Sequence, residues 1–265
     1  MASNKFGRWM GASLVALAVG VGGATSAGAA TLVGLTADNK LVLIDTGKMS
    51  AGAPVAISGA DKVLGIDQRP ADGKLYGLTE GGQVVVIDHM SGKAQGGAML
   101  SEKTPLGPRP VVDFNPAADR LRVIGANGAS LRINVETGAT TVDKPLNYDA
   151  ADANAAKKPM VAAGAYTNSS KGAKSTELFH VDGGSGALVI QNPPNDGVLK
   201  TRGAVGVTGL GDAAMDIDNE AEGKNTAYLI AGGTLYTVDL ASGKATQVGS
   251  IKGLNGKLLD IAVWK

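Results

Sequence analysis

The chain contains no cysteine, which rules out disulfides, thiolate metal sites and the lipid-bearing cysteine of a lipobox. Histidine is nearly missing as well. His89 and His180 are the only two, too little material for a histidine-built metal centre or a Ser-His-Asp arrangement. Aromatic side chains make up 4% of the residues, and no stretch beyond position 31 keeps a helical apolar period. Neither charge sign dominates. With 25 basic and 24 acidic residues the chain carries +1, so neither nucleic acid nor an anionic membrane is indicated as a partner. No G-x-S-x-G motif occurs. The glycine-spaced Gly206-Val207-Thr208-Gly209-Leu210-Gly211 has no helical pattern after it, as a nucleotide loop would require.

The first 30 residues read as a leader. Lys5 and Arg8 precede an uncharged apolar stretch from Trp9 to Val21, and Ala27 and Ala29 form an A-x-A site in a run of small residues. That order is the signature of a secretory signal peptide, with cleavage expected after Ala29 or Ala30. The apolar run is short and glycine-rich for a membrane span, so no stable anchor is expected once the leader is removed. The expected location is the periplasm or the extracellular space. Without Lys5 and Arg8, 23 basic residues face 24 acidic ones. The remainder, residues 31–265, is of a size for one all-β domain with a substantial core.

What the chain does have is a repeat. Asp-x-x-Ser/Thr-Gly or a close variant ends successive apolar runs, as Asp88 to Gly92, Asn134 to Gly138, Asp182 to Gly186 and Asp239 to Gly243. A shortened copy, Asp45-Thr46-Gly47, comes first. Leading positions are 43, 46, 48 and 57 residues apart, a spacing typical of propeller blades. Asp or Asn accepts backbone N–H groups two and three residues on, and the closing Gly takes a positive φ. The signature is therefore turn chemistry. Short strand-like runs lie between close turn signals, so each unit predicts four antiparallel strands. Leu258 to Trp264 repeats only the opening strand of a unit, whereas the first unit, from Thr31, lacks one. The expectation is a five-bladed β-propeller of four-stranded blades, closed when the C-terminal strand joins the N-terminal blade.

Chemistry is expected where the repeat is unusually charged or broken. Arg109, Arg120, Arg122 and Arg132 are four of the six arginines after the leader. Arg120 and Arg122 alternate along one run and Arg132 along the next, with Asp113, Asn115 and Asp119 nearby. Together they suggest either an anion site or an inter-blade salt-bridge network, the latter being favoured. Two segments that interrupt the repeat, around Asn147 and Asp149 and around Asn195 and Asp196, are expected to project as loops on a binding face. Asp216 to Gly223 superficially resembles a calcium loop but lacks the sixth-position Gly and the distant Glu. Asp216 also aligns with Asp67, Asp113 and Asp260 as a repeat position rather than a ligand. No cofactor is predicted, with Ca²⁺ the one candidate metal.

The stretch Asp113-Phe114-Asn115-Pro116-Ala117-Ala118-Asp119-Arg120-Leu121-Arg122-Val123, with Tyr166 to Ser169, Pro193 to Gly197 and Leu235 to Leu240, resembles a family of exported bacterial propeller-like proteins. That family is catalogued as a domain of unknown function. The resemblance spans Thr31 to Lys265 and implies fold and export, but no activity or catalytic residues. The expected function is a non-catalytic exported binding propeller, since nothing pairs a nucleophile with either histidine, and a monomer is expected. Its ligand would be a small anion, a glycan or an extracytoplasmic protein. The alternative is a propeller-type hydrolase or lyase using carboxylates such as Asp113, Asp149 or Asp196 with a divalent metal.

Overall fold

The computed structural model describes Met1 and residues 29–221 and 223–265. The basic and apolar parts of the leader lie outside the described residues. Strands follow one another with almost no helix between them. They are β1 (Thr31–Thr36), β2 (Lys40–Asp45), β3 (Ser50–Ala51), β4 (Val55–Ala56), β5 (Val63–Gln68), β6 (Leu75–Thr79), β7 (Val84–Ile87) and β8 (Ala94–Gln95). There follow β9 (Val111–Asn115), β10 (Arg120–Ile124), β11 (Ser130–Ile133), β12 (Thr140–Val142), β13 (Asn147–Tyr148), β14 (Val161–Tyr166), β15 (Leu178–Asp182), β16 (Ala187–Gln191) and β17 (Val198–Ala204). The last are β18 (Ala214–Ala221), β19 (Lys224–Ala231), β20 (Thr234–Val238), β21 (Ala245–Ser250) and β22 (Leu258–Trp264). No helix among the described residues is long and apolar enough to cross a membrane.

These strands form five sheets, the blades of a propeller. Blade 2 is β5-β6-β7-β8, blade 3 is β9-β10-β11-β12 and blade 5 is β18-β19-β20-β21. Blade 1 runs β22-β1-β2-β3, so the last strand of the sequence is its innermost. β22 lies antiparallel to β1, with Thr31 opposite Trp264 and Gly34 opposite Ile261. The expected closure is therefore present, and it removes a free sheet edge. The five inner strands ring a central channel. β22 packs against β5 and β18, β9 against β5 and β14, and β14 against β18. This close approach needs Gly65, where a Cβ would sit 2.4 Å from the Val112 side chain of the next blade.

Two blades depart from the four-strand expectation. The outer edge of blade 1 is split, with β3 and β4 both pairing β2. Blade 4 has five strands, because β13 adds to β17 in parallel, outside β17-β16-β15-β14. Asn147 thus lies in a sheet edge rather than in a projecting loop. The signature turn also changes place. In blades 2, 3 and 5 it joins the third strand to the fourth, but in blade 4 Asp182 to Gly186 joins the second to the third. The third and fourth strands of blade 4 are instead connected by the proline loop, which contains a cis Asn192–Pro193 bond and one 3₁₀ turn, Pro194–Asp196.

The turn chemistry is as the repeat implied. Asp88 Oδ1 accepts from the Met90 and Ser91 N–H groups and the Ser91 hydroxyl. Asn134, Asp182 and Asp239 accept equivalently. Gly92, Gly138, Gly186 and Gly243 follow with φ between 69° and 79°.

The core lies between blades. Each blade interface holds one apolar cluster, because a blade has two faces and each must be covered. The clusters are unequal. The blade 4–blade 5 interface holds fifteen buried residues, including Phe179, Val181, Met215 and Leu229. The blade 3–blade 4 interface holds eight, including Val111, Ile124, Tyr148 and Leu199.

Candidate functional site

Four of the five inner strands carry one buried aspartate each, and these line the channel: Asp260 on β22, Asp67 on β5, Asp113 on β9 and Asp216 on β18. Each reaches to a backbone N–H of the neighbouring blade. Asp260 Oδ2 accepts from Ile66 at 3.0 Å, Asp67 Oδ2 from Phe114 at 2.7 Å, Asp113 Oδ1 from Tyr166 at 2.9 Å and Asp216 Oδ2 from Val263 at 2.5 Å. Three of them also accept the N–H of the following residue through Oδ1. The repeated aspartate is thus an inter-blade clasp. Strand β14 (VAAGAY) has no carboxylate, so the blade 4–blade 5 step lacks the clasp, and that is the interface with the largest apolar cluster.

Repetition around a ring has a second result. Asp67, Asp113 and Asp216 point inward, and one oxygen from each lies within 4.8 Å of the others. All three are buried, and all three have their acidity weakened. Burial, then the neighbouring carboxylates, push Asp67 and Asp113 well above the ordinary carboxylate value, while burial lifts Asp216 to about 6. Asp260 is raised as well, chiefly by burial. Amide hydrogen bonds offset part of this for each, and Lys265 eases Asp216 slightly. Asp113 differs from the others in making its one hydrogen bond through Oδ1, which leaves Oδ2 without a protein donor among the described residues.

Both ends of the channel are crossed by cationic side chains. Just before β9, Arg109 reaches across to Asp212 at 3.2 Å and to the Ala213 carbonyl at 3.1 Å, both at blade 5. Its long contact to the Leu259 carbonyl, 3.5 Å, lies in blade 1. At the other end, Lys265 Nζ sits 3.0 Å from Asp218 and 2.6 Å from the Asn219 carbonyl, and its N–H donates to Gln68. Beside Lys265 a cavity of about 210 Å³ opens onto Asp67 and Asp216, with Gln68, Ser169, Ser170 and Lys171 at its rim. Oxygen donors gathered in this way suit a hard divalent cation, which takes six to eight oxygens when it is calcium.

The arginines form a lock between blades 3 and 4. Arg122, Arg132 and Asp113 stand opposite one another in register, as their alternation implied. Arg122 is 1% exposed, and its donors are engaged by Asp143 at 2.6 Å, Ser130 at 2.9 Å, Asn195 at 2.8 Å and the Tyr166 hydroxyl at 3.2 Å. Arg132 adds a bidentate pair to the same Asp143, at 2.7 and 2.8 Å. Burial works to raise the Asp143 pKa, but the guanidinium groups of Arg132 and Arg122 together outweigh it and hold the carboxyl below its usual range. Sequence reasoning passed over Asp143, which follows an exposed edge strand and has no repeat mark. Asp119 is held by Arg69 of blade 2 at 2.8 and 2.5 Å, which also lowers its pKa. Asn115 caps its own turn by accepting from Ala117 and Ala118, and Arg120 donates to the Ala118 and Asp119 carbonyls.

Of the other candidates, Asn147 bonds the Pro145 carbonyl, Asp149 accepts from Ala151 and lies 3.8 Å from Lys200, and Asp196 pairs with Lys144 at 2.7 Å. The structure therefore joins Asn195 to the arginines but leaves Asp149 and Asp196 on the rim, apart from Asp113. His180 is wholly buried. Its Nε2 bonds Gln191 at 2.7 Å, and burial pushes its pKa down to about 4, so the ring is neutral.

Similarity to solved structures follows the same architecture. A protein of unknown function from Bacteroides thetaiotaomicron VPI-5482 is 16% identical with a TM-score of 0.55, and the match covers 89% of this chain and 65% of that one. This chain thus spans just under two-thirds of that protein's length. A protein of unknown function from Bacteroides caccae is 11% identical with a TM-score of 0.42, covering 87% and 77% of the two chains. A putative 6-phosphogluconolactonase from Bacteroides uniformis ATCC 8492 is 16% identical with a TM-score of 0.41, covering 84% and 67%. At 16% identity and a TM-score of 0.55, the first of these likenesses is one of fold. No curated protein matches the chain. The family model described as "Domain of unknown function (DUF4394)" matches residues 40–262, so the chain, with its five blades and clasped channel, belongs to that family.

Proposed function

We propose that the protein is an exported, non-catalytic binding propeller whose channel mouth holds a divalent cation between Asp67, Asp113 and Asp216. One observation carries the reading: three buried carboxylates converge within 4.8 Å, and burial and mutual repulsion oppose their ionisation. A cation in their midst would relieve that repulsion, and the amide bonds already hold the oxygens in place. The space favours an ion over an organic substrate. The cavity that Asp67 and Asp216 line, and that Asp113 does not, measures about 210 Å³, below the roughly 300–1,000 Å³ of ordinary small-molecule pockets but enough for an ion with several waters at about 30 Å³ each. The same size argument weighs against the hydrolase or lyase alternative, as does the neutral, buried His180. Calcium is the first candidate because every available ligand is oxygen.

The test is thermal unfolding at pH 7.5 with EDTA, Ca²⁺, Mg²⁺ or Mn²⁺, against KCl at matched ionic strength. A cation near a hundredfold excess over its Kd should raise the midpoint by about 5–10 °C. Asp113→Asn keeps an acceptor for the Tyr166 N–H but loses the free Oδ2, so it should abolish most of that rise. No rise with any divalent ion, or an equal rise in Asp113→Asn, would overturn the proposal.

A further inference from the structure

A second cavity, about 470 Å³, lies in the groove between blades 1 and 2. It adjoins the channel mouth, since Gly73 borders both, but lies outside it. Leu75 and Ile87, both members of the blade 1–blade 2 core, form its apolar floor. One wall is the indole of Trp264, the single tryptophan among the described residues, against which the His89 ring leans at 4.1 Å between centroids and 40° between planes. Trp264 is half-buried and its inner side packs on the blade 1–blade 2 core, so the ring is fixed rather than free to swing. Adjacent residues in the chain thus serve two places, Lys265 at the channel and Trp264 at the groove.

The polar groups around that wall are unengaged. Lys74, Lys93 and Gln95 line the cavity with exposed side chains. Among the described residues their side chains, the His89 ring nitrogens and the Trp264 indole N–H make no hydrogen bond to protein. Asp88, the one carboxylate present, is already engaged by the Met90 and Ser91 N–H groups and the Ser91 hydroxyl. With Asp88 still anionic, the two lysines leave the rim one positive charge in excess beside an aromatic face. This combination is peculiar to blade 2: where His89 stands in its turn signature, the other full copies have Val135, Gly183 and Leu240.

A fixed aromatic face suits the C–H face of a pyranose, and imidazole and indole groups suit its hydroxyls. Two free ammonium groups add a preference for carboxylate. A neutral sugar would leave the lysines unused, and a simple anion would leave the ring unused. The volume lies within the range of small-ligand pockets. We propose that this groove binds the carboxylated sugar of an acidic glycan, with the ring on Trp264, the carboxylate paired to Lys74 and Lys93, and hydroxyls on His89 and the indole N–H. This site is independent of the channel cation.

The experiment is a tryptophan-fluorescence titration of the full chain with trigalacturonate, with cellotriose and acetate as neutral-sugar and simple-anion controls, run in EDTA and repeated in Ca²⁺. Trigalacturonate should change the emission saturably, and Trp264→Phe should remove that change. The exposed double variant Lys74→Glu/Lys93→Glu should keep the thermal midpoint and weaken binding about tenfold or more. Because its residues are exposed, that variant also decides the matter should Trp264→Phe fail to fold. Equal response to cellotriose or acetate, no saturable change, or unchanged affinity in the double-lysine variant would overturn the proposal.

Discussion

Arg122 shows how one side chain can matter more to the ring than to any surface chemistry. It is the largest of the fully buried side chains, and its charge is matched by Asp143, which is itself nearly buried at 5% exposure. Breaking a buried pair costs about 3–5 kcal/mol when the other charge is left without a partner, and because Asp143 keeps Arg132 the loss here should fall at the lower end of that range. Arg122→Ala should therefore lower the urea midpoint strongly, and Asn195 and Tyr166 would lose a donor with it. Arg120 offers the contrast. It is partly exposed and bonds only nearby carbonyls, so Arg120→Ala should stay within about 0.5 kcal/mol of the parent. Equilibrium urea unfolding of the two variants checks both. A comparable loss for each would mean that the arginines act as a shared surface and not as a lock. The lock sits where the apolar cluster is smallest, so polar contacts there supplement a lean core.

At the scale of the element, the signature turn sets which glycines are replaceable. Gly92 and Gly186 have nearly the same φ, 69° and 72°. A Cβ on Gly186 would meet nothing within 4 Å, whereas on Gly92 it would lie 2.1 Å from the Ala56 carbonyl oxygen of blade 1. Gly186→Ala should cost only the left-handed backbone penalty, about 1–2 kcal/mol. Gly92→Ala must also push blades 1 and 2 apart and should cost clearly more, as thermal unfolding of the pair would show. The same turns explain what the sequence made legible. An Asp and a Gly at fixed offsets need no distant partner, and the unmatched opening strand from Leu258 required only counting. Other features depend on distance in space. Asp67, Asp113 and Asp216 are 46 and 103 residues apart, and only ring closure makes them neighbours. Asp143 has no pattern around it, and β13 is two residues long, below any periodic signal.

For the whole molecule, the channel predicts an unusual pH response. A carboxyl whose folded pKa is raised stabilises the fold below its unfolded value, near 3.8, and loses that contribution as pH climbs through the folded value. Asp67, Asp113, Asp216 and Asp260 all belong to this class, and for Asp216 the loss lies between about 4 and 6. Groups with lowered pKa act oppositely. Asp143 and Asp119 lose their contribution as pH falls below the ordinary carboxylate range, and His180 does so from 6.5 down to about 4. In EDTA, stability should therefore peak in mildly acidic buffer and decline toward pH 8, where His180 no longer changes. Differential scanning calorimetry across pH 4–8 tests this. A midpoint that climbs steadily to pH 8 in EDTA would show that the channel carboxylates ionise without penalty.

The position of β22 bears on how the chain is made. It is the innermost strand of blade 1, yet the last of the five inner strands to be synthesised. Until it arrives, β1 has an open edge, Asp260 cannot reach Ile66, and Asp216 has no Val263 to hold. A chain cut short before Leu258 would thus display an unpaired edge beside a gap in the ring. Proteases and chaperones would meet that exposed backbone directly, so the closing strand also signals to the cell's quality control that the ring is complete.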